Sequence, residues 1–580
     1  MKKIITNQIK PILERTPLFE YLLKQSFLRK SICSTSILFF LLYFTFLILP
    51  IALRAECPPG VISICDDQFA SKFGEYETIS HNLLSINADE AYSLGFSGKG
   101  VTVGILDSGY SPNHREMIGR TFGYEVTASD NPGEWLHGIH VGGIIAASRE
   151  QLDDKYFSLY QNGMQGVAYE ANIYTVGWDS EEIQDAEILF HYFIDLPEIK
   201  VINNSWGDNS ELEDYFDDSG NIDPTKIDEL ILTYAYHIGS FLSKRDVLLV
   251  FAAGNDGYLS SDFPGGLASF APYLTEYGDY IKNNTIDVIN VNAEYDSRSL
   301  FFVNPTSQMA LGSAWYTLMA PGTNIISTAY NYTAEDVSLY LYYPLSGTSM
   351  ATPVVSGAAA LVVEAFPGIE GKQIGDILLS TATDIALENL PPFLIKFQHE
   401  SDGEENETIW KFPIYSYKSN VDSISSLISD FIESGAPREY VDVYFGGRFY
   451  SELLDALDPN KVIILEDDKY KSLFGKGMLN AGEAVKGPKV LDASRLSESD
   501  IYYGGPTPSL LYPVNIESTT QSEITWKWLN DITEDQRFSD NLSYPVGIIK
   551  LGDGTLELSG INTFTGPSFV EEGVLSLNPS

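Results

Sequence analysis

Apolar and polar positions divide the chain into stretches of different rhythm. Residues 37–53, "ILFFLLYFTFLILPIAL", run without a charge. From about residue 86 to 385 short apolar runs alternate with small-residue or amphipathic stretches. "GVTVGILDSG" (Gly100–Gly109), "KVINNSW" (Lys200–Trp206) and "VLLVFAAGN" (Val247–Asn255) are near-continuous apolar runs that stop at Gly, Asn or Asp. That is the pattern of strands covered on both faces. "TPVVSGAAALVVEAF" (Thr352–Phe366) is rich in Ala and Val, and predicts a buried helix opening at Thr352-Pro353, since Pro is tolerated in a first turn. Buried strands alternating with helices predict an α/β fold, a mainly parallel sheet with helices on both faces.

The rhythm changes elsewhere. Residues 56–85 form a polar lead-in without sustained periodicity, and residues 388–470, with "HESDGEENE" inside them, read as an acidic insertion. Residues 489–546 read as a connector containing Ser, Pro and Tyr. The last stretch, 547–580, contains "GIIKLGDGTLELSGINTFTGPSFVEEGVLSLN", short alternating runs broken by Gly and Asn, which predict one unit of an extended β repeat.

At 580 residues, 44% apolar and 20% charged, the chain holds enough apolar material for one large domain with appendages. The 79 acidic against 36 basic residues leave a net charge of -43, which repels phosphate backbones, so nucleic acid is not an expected partner. Lys2, Lys3, Lys10, Arg15, Lys24, Arg29 and Lys30 precede the uncharged run. A basic segment before an apolar one is a secretion signal, expected over residues 1–55 with cleavage after Ala55. The competing reading is an uncleaved anchor, for which the apolar run is at the lower edge of length; Pro50 and Ala55 favour cleavage. In an exported chain, Cys57 and Cys65 are candidates for a small disulfide loop, while Cys33 lies in the N-terminal region. No Cys/His spacing reads as a zinc site.

Four segments carry chemistry. A serine hydroxyl needs a base within hydrogen-bond reach, an acid to orient that base, and N–H donors for the oxyanion. "GILDSG" ends a buried strand on Asp107, and "HGIHVGGIIAA" offers His137 and His140 at the start of a tightly packed helix. The spacing of those two His also suits a metal, but "HGIH" lacks the Glu of the zinc-binding helix motif. "FAAGND" presents the amide of Asn255 after a strand, and "SGTSMATP" sets Ser349 just before a helix whose N-terminal N–H groups favour negative charge.

In the order Asp, His, Asn, Ser these segments resemble the subtilisin family, and order distinguishes that family from other users of the same triad. The resemblance covers about residues 86–488, with "LLSTATDI" (Leu378–Ile385) and "GKGMLNAGEAV" (Gly475–Val485) similar to the closing segments of the catalytic domain, so the acidic stretch interrupts it. It implies a subtilisin-like fold and a serine endopeptidase with Asp107, His137 and Ser349 as catalytic triad, Asn255 as oxyanion donor and His140 in a structural role. It further implies that Ser205, Trp206 and Gly207 pair with an extended substrate by strand addition, and that Ala253 and Gly254 form a wall of the primary specificity pocket. Protein or peptide substrates are the implied partners. No cofactor is required; calcium commonly stabilises the family, but no loop commits to a site.

The sequence departs from the family at Ile139, where Thr is usual, at Gly142, where Ala is usual, and at the bulkier Trp206. The segment after Asn255 is longer than usual, which leaves the pocket floor open. The lead-in is shorter than the folding pro-segment of secreted subtilisins. The terminal repeat resembles that of autotransporter passengers, which implies secretion or display at the outer membrane through a translocator domain expected to lie outside this sequence. The alternative function is a catalytically silent, adhesive passenger on a protease scaffold; a third reading is an active enzyme that processes exported proteins or itself.

Overall fold

The structure is a computed structural model. It describes residues 81–578 apart from 110–113, 115, 126–134, 150–163, 179–188, 209, 211, 218–220, 294–300, 305, 331–339, 386–392, 400–407, 417–462, 466, 520–521 and 540–541. The expected signal, the Cys57–Cys65 pair and most of the lead-in and acidic insertion lie outside the described residues. All that is described belongs to one compact unit, Asp67–Ser580.

The apolar runs form the sheet their pattern predicts. Its strands are β1 (Thr102–Asp107), β2 (Thr121–Glu125), β3 (Asn172–Gly177), β4 (Val201–Asn204), β5 (Leu248–Ala252), β6 (Thr285–Ala293), β7 (Phe301–Val303) and β8 (Thr317–Pro321). The order is β2-β3-β1-β4-β5-β6, with the short β7 antiparallel to the end of β6 and β8 parallel to β6. The other pairings are parallel, among them β1 on β3 and β1 on β4. Every residue of β4, β5 and β8 is buried, the reason these strands read as continuous apolar runs rather than alternating ones.

The chain leaves β1 toward β2 and β3 on one side and returns to β4 on the other. The sheet therefore reverses direction beside β1, and the carboxyl ends of β1 and β4 flank the crevice where open α/β sheets bind ligands. Helix α1 (Trp135–Ala146), helix α2 (Glu229–Leu242), helix α3 (Thr348–Ala365) and helix α4 (Gly371–Thr381) accompany the sheet. α3 is long and apolar enough to cross a bilayer, yet it is the core helix, its small residues Ala351, Ala358, Ala359 and Ala360 packed without exposure.

α3 begins at Thr348, a turn earlier than the Thr352-Pro353 start expected from the sequence. Pro353 sits inside the helix rather than opening it. A proline there removes one bond, from its own nitrogen to the Ser349 carbonyl, and that carbonyl has another donor: Ser205 Oγ lies 2.9 Å away.

The stretch expected to be a connector carries strands of the terminal repeat. Ser509–Asn515, Val546–Leu551 and Ser568–Val570 stack in parallel, and so do Thr525–Trp528, Thr555–Leu558 and Val574–Leu577. Alternate side chains point inward, with Leu510, Tyr512, Val514, Trp526, Trp528, Ile548, Leu556 and Leu558 buried. The first rung is seated on the α/β part. Trp526 donates to the Pro367 carbonyl at 3.0 Å, and Tyr512 donates to Asp376 of α4 at 2.9 Å.

Candidate active site

Asp107 is the last residue of β1 and is 3% exposed. Its Oδ1 accepts from the Ser108 backbone N–H and from the Nδ1 position of His137, both at 2.7 Å. The approach depends on Gly138, whose N–H donates to the Ser108 carbonyl at 2.7 Å; a Cβ on Gly138 would stand 2.2 Å from that oxygen. Only a residue without a side chain lets the start of α1 press this closely on the end of β1. Gly143 does the same on the opposite side of α1. There Ser327 and Thr328, on β9 (Ile325–Tyr330), donate to the carbonyls of His140 and Ile139 at 2.6 and 2.7 Å. A Cβ on Gly143 would lie 2.3 Å from both hydroxyls.

His137 is about one-third exposed (34%) while its partner Asp107 is shut away from water. Burial by itself lowers the imidazole pKa. The Asp107 charge and hydrogen bond outweigh that, and the net shift is upward from 6.5. His140 has no such partner. It is 1% exposed, its Nε2 bonds the Tyr343 carbonyl at 2.8 Å, and burial pushes its pKa down to about 4, with the nearby His137 adding to the fall. It is a neutral packing residue of α1 at neutral pH.

Ser349 is the second residue of α3, half-buried. Its hydroxyl donates to the Ser205 carbonyl at 3.1 Å, and the Ser205 hydroxyl answers to the Ser349 carbonyl at 2.9 Å. Among the described residues no hydrogen bond joins His137 to Ser349; catalytic hydrogen bonds often tighten only when substrate is bound. Asn255 follows β5 and is exposed. Its Oδ1 accepts from the backbone N–H and the hydroxyl of Thr348, at 2.9 and 3.2 Å. Those donors fix which end of the amide faces the helix, so Nδ2 is the atom that remains to donate. The Ser349 N–H, in the first turn of a helix, has no carbonyl four residues back to bond.

The structure thus brings Asp107 and His137 into direct contact. Ser349, Ser205 and Asn255 form a second cluster around the N-terminus of α3. Both lie at the carboxyl edge of the sheet, where Leu106 of β1 pairs with Asn204 of β4. The remaining expected residues border the second cluster. Trp206 is 9% exposed and packs edge-on against Trp178 and Phe251, so its bulk is directed inward. Gly207 and Asp208 follow it, and the Asp208 N–H donates to the Phe263 carbonyl at 3.0 Å. Ala253 and Gly254 directly follow β5. Gly254 has φ +113°, a conformation that excludes a side chain.

Three residues of this region are absent from the sequence reading. Thr348 bridges Gly254 and Asn255 through its hydroxyl. Gln308 and Asp262, both almost fully buried, form a hydrogen-bonded pair at 2.6 Å behind Gly254. The signal available was a lone acid in the small-residue run "SSDFPGG", which has no meaning until the chain folds back on β5. Among the described residues no group of three His, Cys, Asp or Glu is arranged to hold a metal ion.

Comparison with known proteins gives the site a context. The pattern defining the Subtilase family matches residues 98–403, and that of the passenger-associated transport repeat matches residues 548–577. An extracellular serine protease of Serratia marcescens is 24% identical over 91% of this chain and 45% of its own length. The chain therefore spans a little under half of that relative. Subtilisin E of Bacillus subtilis is 27% identical over 56% of this chain and 71% of its own. Among solved structures, the protease domain of PatA is 20% identical over 50% of this chain and 90% of that domain, with a TM-score of 0.36.

Proposed function

The chain belongs to the subtilase family, and on that premise we propose that it is a serine endopeptidase, exported or displayed at the cell surface, hydrolysing peptide bonds through an acyl-enzyme. The observation that carries the reading is the 2.7 Å pair of a buried Asp107 and a one-third-exposed His137 at the same sheet edge as Ser349. In this reading His137 accepts the Ser349 proton as Oγ attacks the substrate carbonyl, then passes it to the leaving amine. Asp107 holds the tautomer with Nδ1 protonated and stabilises the imidazolium. The Ser349 N–H and Asn255 Nδ2 take the charge that forms on the carbonyl oxygen. Water, activated by the same imidazole, then releases the acyl group.

Ser205, Trp206 and Gly207 offer an edge for the extended substrate, and Ala253 and Gly254 face its primary side chain. Export is supported by the basic and apolar N-terminus, by the repeat at residues 548–577 and by the extracellular relative.

A fluorophosphonate probe tests the assignment. Labelling of the wild-type chain at Ser349, lost in Ser349→Ala together with several orders of magnitude in turnover, is the expected result. A folded chain that takes no label and cuts no peptide would be an adhesive passenger instead.

A further inference from the structure

A buried polar relay runs from the middle of α3 to Ser349. Ser356 lies about two turns further along that helix and Asn203 lies on β4, both without exposure. The Ser356 hydroxyl donates to Asn203 Oδ1 at 2.9 Å, and Asn203 Nδ2 donates to the Ser205 hydroxyl at 2.9 Å. That hydroxyl donates in turn to the Ser349 carbonyl at 2.9 Å. The Ser349 hydroxyl comes back to the Ser205 carbonyl at 3.1 Å, so Ser349 is bonded to Ser205 from both its backbone and its side chain.

The direction of the relay is fixed from its end. A carbonyl can only accept, and a serine hydroxyl has one proton to give. With the Ser205 proton committed to Ser349, the Ser205 oxygen is left to accept and its neighbour has to present a donor. That sets the Asn203 amide with Nδ2 toward Ser205 and Oδ1 toward Ser356. Oδ1 then needs a donor, and the Ser356 hydroxyl supplies it. The surroundings are apolar. Asn203 pairs with Ile105 of β1 and Val250 of β5, and Ser356 stands in a run with Val354, Val355, Ala358 and Ala359, all without exposure. An apolar residue at each of the two positions would suit that packing, since replacing both partners of a buried hydrogen bond by apolar groups is close to neutral for stability. What would be lost is the orientation of the Ser205 hydroxyl.

We propose that Asn203 and Ser356 are positioning residues for Ser349, holding the first turn of α3 against the end of β4 through the Ser205 hydroxyl. The inference rests on the proteolytic reading above and adds to it how the nucleophile is set for attack. Without the Ser356 donor, the Asn203 amide is free to turn over and draw the Ser205 proton to its own oxygen. The Ser349 carbonyl, which Pro353 leaves without a helical partner, then loses the donor that Ser205 gives it. The Ser349 Oγ and N–H belong to the same turn and shift with it, and a reacting group has to stay within about 0.5 Å of its productive place.

The experiment uses the whole chain, with rates referred to the fraction of molecules that fluorophosphonate labels, so that unfolded protein does not enter them. Ser356→Ala should lower kcat about 10-fold with KM unchanged, and should slow labelling of Ser349 by the same factor. Ser356→Cys, nearly the same in shape but a weak donor, should fall between Ser356→Ala and the wild type. In Ser205→Ala, which already lacks the middle of the relay, adding Ser356→Ala should cost nothing more. A folded Ser356→Ala with the wild-type kcat and labelling rate, a change confined to KM, or losses that multiply in the double variant overturns the positioning role and leaves the protease reading intact. A chain that neither labels nor cuts overturns both.

Discussion

At the scale of single residues, the site is a matter of which charge has a partner. Two histidines three positions apart on one helix have opposite fates. His140, buried against a backbone carbonyl, loses its proton easily, whereas His137, beside Asp107, holds its proton above the ordinary 6.5. Only neutral His137 can serve as base, so kcat/KM should rise with pH through a midpoint above 6.5. In Asp107→Asn the opposing effect of burial is left uncompensated. The midpoint should then move downward, with the rate falling by about 10⁴ because the wrong tautomer is favoured. A pH profile of the two proteins decides this; an unmoved midpoint would show that His137 is not the group being titrated.

Helix α3 joins residue chemistry to the fold. Pro353 leaves the Ser349 carbonyl without its helical partner, and the Ser205 hydroxyl at 2.9 Å fills that vacancy from the end of β4. One side-chain bond thereby couples the candidate nucleophile's backbone to the end of β4. Ser205→Ala should cost about 1–2 kcal/mol, the scale of a buried acceptor left unmade. In a Pro353→Ala background the restored N–H can reach the same carbonyl, and the cost should shrink. A double-mutant cycle by denaturant unfolding measures this coupling, and strict additivity would argue that the two groups do not share the carbonyl.

The whole molecule is joined through Asp376 of α4. That buried carboxylate receives Arg495 at 2.7 Å, Lys372 at 2.6 Å and the Tyr512 hydroxyl at 2.9 Å, so the α/β part and the first rung meet on one charge. Arg495 Nη1 and Nη2 also donate to the carbonyls of Lys282 and Asn283. Burial alone would raise the Asp376 pKa; the Lys372 and Arg495 cations outweigh it and hold it below the ordinary 3.8. A depressed folded-state pKa stabilises the fold above the unfolded value, and that contribution disappears as pH falls through the depressed one. Arg495→Ala should therefore cost about 3–5 kcal/mol at neutral pH, since it strands a buried charge, and visibly less in acid where Asp376 is protonated. Unfolding curves at neutral and acid pH test it. An equal loss at both would mean that Arg495 acts through packing alone.

The amino-acid order by itself determined the α/β class and the identities of Asp107, His137, Asn255 and Ser349 as candidates, because buried strands and their terminal polar residues leave a local signature. It also marked the terminal repeat, whose alternation is likewise local. It set the start of α3 a turn late, since a proline looks like a helix opening until a hydroxyl from β4 is known to satisfy the carbonyl it frees. It took the first rung for a connector, since Tyr512 and Trp526 acquire meaning only against α4 and the end of α3. And it left the pocket floor open. Asp262 and Gln308 stand 46 positions apart and come together only when the chain closes over Gly254. Contacts between distant segments have no periodicity in sequence, so tertiary structure alone decided them.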